Sequence, residues 1–388
     1  MTTLRTPAQL SDRGLVAPEQ QAALEAVAAR YAVALPPALT QLIDRDDPAD
    51  PIARQFVPDT AELEHRPEEL ADPIGDIAHS PVEGIVHRYP DRVLFKLTHI
   101  CAVYCRFCFR REMIGPEKPN ALSPQATAKA LAYVRTHPEI WEVILTGGDP
   151  LVLSARRLRA VMKELAAIEH VKVVRIHTRM PIADPARITP ELARALKTKG
   201  KATYVAVHIN HPRELTQPAR SACARLADAG IPLLSQTVLL AGVNDTPDVM
   251  GELMRALVEC RIKPYYLHHG DLAPGTAHLR TDIATGQKLM RSLRGRISGL
   301  CQPTYVLDIP GGHGKSPIGP NYIEPVGVNG GAHIVVTDFS GQPHQYPPVG
   351  GLVAYRQQIK QGRRHRKAGE TDEHHRNHGV PDEGHVAS

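Results

Sequence analysis

The chain has 388 residues, 42% of them hydrophobic, enough for one large domain or two ordinary ones with a sizeable core. Its formal net charge is +5, and a basic, histidine-rich C-terminal stretch adds to it, so the near-neutral remainder argues against a nucleic-acid partner. No apolar run could span a membrane and the start "MTTLRTPAQLSDRG" lacks a signal peptide's apolar centre, so we expect a reducing, cytoplasmic compartment where clustered cysteines mean metal or catalysis.

Residues 1–85 are rich in Ala, Pro and Asp and read as a helical or irregular N-terminal extension, with a helix over Pro18–Tyr31. From Arg92 a rhythm begins. "VLFKLTH", "EVILTG", "VKVVRIHT", "TYVAVHI", "PLLSQTVLL" and "PYYLHH" are short, rich in Val, Ile, Leu and Tyr, and predict buried strands. Helices are predicted between them, over Ser123–His137, Ser154–Glu169, Thr189–Lys199, Thr216–Ala229 and Thr246–Cys260, each opening on Ser or Thr as N-cap. This alternation implies an α/β fold with a parallel sheet, doubly wound or barrel-like. A seventh strand, "PTYVLDI", runs into the Gly-rich "PGGHGKSP", and "AHIVVTDFSGQPHQY" reads as a small terminal hairpin. The domain expectation is a barrel with its cofactor site over 86–325, a hairpin and subunit-contact region over 326–356, and a disordered, solvated tail over 357–388. The tail carries His365, His374, His375, His378 and His385.

The polar residues gather just past the ends of these strands. Cys101, Cys105 and Cys108 follow the first, "TGGDP" (Thr146–Pro150) the second, Asp271 the sixth and Lys315 the seventh. In parallel barrels that edge is where active sites form. The cysteine spacing C-x3-C-x2-C lacks the paired C-x2-C of a zinc ribbon. Three thiolates on one loop can hold three irons of a [4Fe–4S] cluster and leave the fourth open. The spacing alone leaves a three-cysteine zinc site or metal-free thiols equally open. Arg106, Arg110 and Arg111 suit an anionic cluster or substrate group, against the plainer reading of a solvated surface. Cys223, Cys260 and Cys301 are isolated and read as packing residues. "GKS" invites a P-loop reading, which fails because Ile309 stands where Gly is needed and Pro317 follows where a helix should start. A lysine on a flexible Gly-rich loop suits Schiff-base chemistry, with an exposed loop lysine as the plain alternative.

Together the motifs "HRYPDRVLFKLTHICAVYCRFCFRR", "TGGDPL", "HINHPRELT", "LLAGVND", "PYYLHHGDLAPGTAHLRT" and "VLDIPGGHGKSPIGPNY" resemble the lysine 2,3-aminomutase family, radical SAM enzymes that also use pyridoxal phosphate. The resemblance covers about Asp50 to Tyr346 and implies a partial (β/α) barrel of the radical SAM type. It implies that Cys101, Cys105 and Cys108 ligate the [4Fe–4S] cluster, with S-adenosyl-L-methionine on the fourth iron and against Gly147, Gly148 and Asp149. It implies that Lys315 carries pyridoxal 5'-phosphate, with Arg88, Tyr89 and Arg92 around the ring and phosphate. It implies that Arg110 takes the substrate carboxylate, and that Asp271 and Asp308 hold the ε-ammonium of lysine. The product is then β-lysine, and a flavodoxin or ferredoxin is the expected electron donor to a homo-oligomer.

Two departures stand out. Long-form relatives bind a structural zinc through cysteines, one of them after "GVND", where this chain has Thr246, and others near the C-terminus, where no cysteine follows Cys301; no structural zinc is expected. His268 stands where long-form relatives have Tyr, as in shorter relatives that make β-lysine for elongation factor P. Dedication to that modification, or arginine as substrate, are the alternatives within the class. The acidic pair argues against glutamate. A radical SAM enzyme acting on RNA would need a basic channel that is not seen, and a non-enzymatic metal scaffold leaves Lys315 and both aspartates unexplained.

Overall fold

The computed structural model describes residues 2–117, 121–326 and 333–346, and the chain divides into two compact units, 1–320 and 321–388. In the first, β1 (Ile85–Tyr89), β2 (Arg92–Thr98), β3 (Glu142–Gly147), β4 (Val173–Thr178), β5 (Ala202–His208), β6 (Leu233–Val238), β7 (Ile262–His268), β8 (Thr304–Ile309) and β9 (Gly314–Pro317) form one sheet. The strands lie in chain order, β2 to β8 parallel, with β1 and β9 antiparallel at the edges. A doubly wound sheet reverses its strand order at a switch point. Here the order never reverses, so the sheet winds one way, into a partial barrel. Side chains draw its edges together: the Lys315 backbone N–H of β9 donates to the Tyr89 hydroxyl of β1 at 2.7 Å.

Buried runs such as Val143–Leu145 and Val205–Val207 make the parallel strands apolar on both faces, as helices on the outside require. The five predicted helices are present as Pro124–Thr136, Ala155–Ala166, Pro190–Ala195, Gln217–Asp228 and Pro247–Glu259. Ser123, Ser154, Thr189 and Thr216 cap theirs by accepting from the backbone N–H three residues on, each worth about 1 kcal/mol. Thr246 makes no such bond. Two elements differ from expectation. The helix Ile283–Leu293, capped by Asp282, is broken in sequence by Gly286, which is there because a Cβ would lie 2.1 Å from the Tyr305 hydroxyl. β1 pairs back on β2 through the Pro90–Asp91 turn, so the barrel begins one strand earlier than the rhythm suggests.

Residues 18–30 form a 3₁₀ turn followed by the helix Gln21–Arg30. The extension continues as short turns that brace the cysteine loop: Tyr104 N donates to Ala34 O (3.2 Å) and Arg106 N to Gln55 O (2.9 Å). In the second unit, β10 (Ile323–Val326), β11 (His333–Thr337) and β12 (Pro343–Tyr346) form an antiparallel sheet, so the expected hairpin has a third strand. The tail 357–388 lies outside the described residues. Among the described residues no helix is long and apolar enough to cross a membrane.

Candidate active site

A cavity of about 450 Å³ opens inside the sheet at the C-terminal strand ends, and every residue to which the resemblance gives a role lines it. They are Cys101, Cys105, Cys108, Arg88, Tyr89, Arg92, Arg110, Gly147, Gly148, Asp149, Asp271, Asp308 and Lys315. They come from seven segments spread over more than 220 residues, and only the winding of the sheet brings them together. The lining also reaches Trp141 and Arg175, toward the strands' other ends, so the cavity has room for more than one small molecule.

The cysteine loop leaves β2 and is held by the loop after β3. Gly148 N donates to Thr98 O (2.7 Å) and Asp149 N to Ile100 O (2.9 Å). This contact explains the glycine pair. A Cβ on Gly147 would lie 2.3 Å from Thr98 O, one on Gly148 2.3 Å from Ile100 O, and Gly147 has φ +114°. The close approach is therefore to the cysteine loop's backbone. Asp149 is buried and its carboxylate is engaged: it accepts from Thr178 Oγ1 (2.7 Å), Arg179 N (2.7 Å) and Leu151 N (3.0 Å). It organises the loop ends of β3 and β4.

Burial pushes all three thiols up, Cys101 well above the usual range and Cys105 to about 11. The neighbouring Asp149 and the other thiols add to this at Cys101, whereas Arg179 opposes it at Cys105. Thiolates in such a place need a cation, and a coordinated metal supplies one. Among the described residues no three His, Cys, Asp or Glu side chains converge as ligands of a single ion do. A four-iron cube takes its thiolates at separate corners, and the donor set of three half-buried thiols lining one cavity suits it. Orphaned polar atoms mark room for further ligands. Buried His177 Nε2, Gln236 Oε1 and Arg88 Nε have no partner among the described residues, and all three residues line the cavity.

Asp308 and Lys315 are register partners across β8 and β9, joined by the turn Pro310–His313, so their side chains meet on one face. Lys315 Nζ donates to Asp308 Oδ2. Lys315 therefore stands on a strand rather than on a flexible loop, and the P-loop is excluded again because a strand follows the glycines. Arg88 Nη1 donates to Asp308 Oδ1 (3.4 Å), while Arg92 lies over the Tyr89 ring at 3.8 Å. Asp271 is pushed up to about 7, first by burial and then by the charge of Asp308, with Lys315, Arg110 and Arg88 opposing. Burial pushes His208 and His268 down to about 3, so both imidazoles are neutral.

The arginines behind the cysteines divide. Arg106 and Arg111 neither face the cavity nor lie on a solvated surface; they are buried against Glu62 of the extension, Arg106 Nε at 2.9 Å from Oε1 and Arg111 through Nη2. Arg110 does line the cavity, and its Nε (3.0 Å) and Nη2 (2.9 Å) both donate to Asp76 Oδ2. Asp76, His177, His208 and Gln236 were missed in the sequence. The two histidines end the strands "VVRIHT" and "TYVAVH", and their position past a run of apolar residues was the available signal. Asp76 had none, lying in an irregular segment.

A family model described as the radical SAM superfamily matches residues 95–253, and one described as lysine-2,3-aminomutase matches residues 290–378. The chain is 44% identical to the L-lysine 2,3-aminomutase of Clostridium subterminale, over 75% of this chain and 70% of that protein. It is 43% identical to that of Acetoanaerobium sticklandii, over 79% and 73%. It is also 39% identical to the glutamate 2,3-aminomutase of Clostridioides difficile, over 77% and 70%. The cofactors of this class are a [4Fe–4S] cluster, S-adenosylmethionine and pyridoxal phosphate, and a chain whose thiols, orphaned polar atoms and strand-borne lysine surround one cavity belongs to the lysine 2,3-aminomutase family of radical SAM enzymes, as an aminomutase-type isomerase.

Proposed function

We propose that the substrate is L-lysine and the product β-lysine. The observation that carries this is the acidic pair: Asp271 and Asp308 share the cavity with too little positive charge to ionise Asp271 at its ordinary pKa. A ligand cation supplies what is missing. The ε-ammonium of lysine provides it with charge-assisted hydrogen bonds, whereas a glutamate side chain would add a third negative charge.

When bound, the cluster with S-adenosylmethionine supplies hydrogen-atom abstraction, and pyridoxal phosphate supplies a carbonyl for the migrating amino group and a ring that delocalises an unpaired electron. The chain's own part is positioning. Cys101, Cys105 and Cys108 hold the cluster, and the Gly147–Asp149 loop, pinned to the cysteine loop, faces S-adenosylmethionine. Lys315 Nζ would hold pyridoxal phosphate, with Asp308 Oδ2 beside it as the partner of the Nζ proton. Arg88, Tyr89 and Arg92 orient ring and phosphate. Arg110 grips the substrate carboxylate at one end while the acidic pair fixes the ammonium at the other. Two fixed ends leave the β-carbon one position, which is what a short-lived radical requires. Ile74, Val86, Phe107 and Phe109 in the lining exclude water.

The test is anaerobic turnover of L-lysine with S-adenosylmethionine, pyridoxal phosphate and a reductant, resolved by chiral chromatography. β-Lysine is expected. Turnover of glutamate with none of lysine would overturn the reading.

A further inference from the structure

Asp76 is fully buried behind the cavity-lining Arg88 and Arg110 and faces three cations. Its Oδ2 accepts both Arg110 bonds, its Oδ1 accepts from Arg88 Nη2 (3.4 Å), and Lys96 of β2 lies within electrostatic reach. These cations outweigh burial and hold its carboxyl below the usual range. Asp76 sits in the segment Asp72–Ser80, which is folded on itself. The Asp72 carboxylate accepts from Asp76 N (2.9 Å) and Ile77 N (2.7 Å), and Ser80 Oγ donates to Asp76 O (2.7 Å).

The same segment touches the turn that leads into Lys315. Gly75, at φ +69°, lies so close that a Cβ there would be 2.6 Å from Gly312 N. Gly312 is covered in turn by His79, and a Cβ on it would be 2.5 Å from His79 Nε2. Adjacent residues thus make the two contacts: Gly75 seats on the lysine's turn, and Asp76 grips Arg110 and Arg88.

We propose that Asp72–Ser80 is a strap that sets the distance between the substrate-carboxylate arginine and the cofactor lysine, with Asp76 as its positioning residue. Both Arg110 bonds to Asp76 use the Nε–Nη2 edge, so Asp76 aims the guanidinium and leaves Nη1 for a ligand. Without Asp76 the three cations repel and Arg110 loses its direction. This rests on the assignment of Arg110 to the substrate carboxylate.

The test compares Asp76→Asn, Asp76→Glu, Gly75→Ala and, as a control on that assignment, Arg110→Lys. In each purified holoenzyme, L-lysine is titrated without S-adenosylmethionine by the change in pyridoxal absorbance; KM, kcat, iron, pyridoxal content and melting temperature follow. Asp76→Asn should weaken lysine binding and raise KM roughly tenfold or more while kcat changes less than about threefold, with cofactor content unchanged. Asp76→Glu should recover part of the loss. Gly75→Ala should also weaken lysine binding, though it removes no polar group. Wild-type lysine binding in Asp76→Asn overturns the proposal, and so does loss of pyridoxal and lysine affinity together without rescue by Glu. Wild-type binding in Gly75→Ala overturns the strap's link to the lysine. If Arg110→Lys binds lysine normally, it is the carboxylate assignment that fails. Weak binding there with normal binding in Asp76→Asn sinks the strap alone.

Discussion

Two groups of buried acids flank the cysteine loop, and they are charged in opposite ways. Glu62 is fully buried, but Arg106 and Arg111 hold it, and their charge outweighs burial and keeps its carboxyl below the usual range. Further donors are used as well: Arg106 Nη1 on Ala32 O (2.9 Å), and Arg111 Nη1 on Arg106 O (2.9 Å) and Gly275 O (3.0 Å). Asp271 beside Asp308 is the reverse. Burial and a like charge push it up to about 7, and the cations nearby do not offset them. A buried charge balanced by the protein is a brace. One left in excess in a cavity is a demand for a ligand, because evolution can discard a strained carboxylate unless something binds to it.

Breaking the brace should have the largest effect. Glu62→Gln leaves two buried guanidiniums without their anion, a change that costs about 3–5 kcal/mol. A large fall in melting temperature is expected, with poor retention of iron because Arg106 and Arg111 lie in the cysteine loop. Unchanged melting would mean the arginines find other partners and the region is no brace.

The acidic pair should respond otherwise. Asp271→Asn and Asp308→Asn should each lower kcat/KM for lysine roughly ten- to a hundredfold, the loss of one charged hydrogen-bond partner. Asp271→Asn should not lower melting temperature as Glu62→Gln does, since it removes a like-charge repulsion, whereas Asp308→Asn also takes a partner from Lys315 and Arg88. Kinetics at matched iron and pyridoxal content decide it, and wild-type values in both would make the carboxylates structural.

The smallest effect is on pH dependence. Asp271 goes from an ordinary 3.8 to about 7 in the folded chain. A raised carboxyl contributes stability that is fully present below about 4 and is lost as pH rises through about 7, where the native group must ionise in an unfavourable place. Wild-type melting temperature should therefore fall relative to Asp271→Asn across that window. Lysine affinity should move the other way and rise through about pH 7 as the pair becomes anionic. Parallel melting curves for the two proteins would show that Asp271 is already ionised and that the excess charge is not there.

The fold is legible in the sequence wherever one short segment holds the whole signal. Strands such as "EVILTG" are continuous apolar runs, Ser123, Ser154, Thr189 and Thr216 announce their helices, and the three cysteines share a single loop. The Gly286 helix was lost because glycine weakens a helical pattern, and its reason, the Tyr305 hydroxyl, lies in another element. The pairing of Asp308 with Lys315 was within reach, since "DIPGGHGK" reads as a hairpin with those two opposite.

Sequence alone determined the α/β class and the strand-end placement of the polar residues, because periodicity and spacing are local properties, while the chemistry of those residues came from the resemblance. The tertiary structure decided which charges are balanced. Glu62 meets Arg106 across 44 positions, and Asp76 meets Arg110 across 34. It also decided that Gly147 and Gly148 serve the cysteine loop and that β1 and β9 close the cavity through Tyr89. Electrostatic balance and close backbone approach depend on distances between segments, and those distances exist only once the sheet has wound around the cavity.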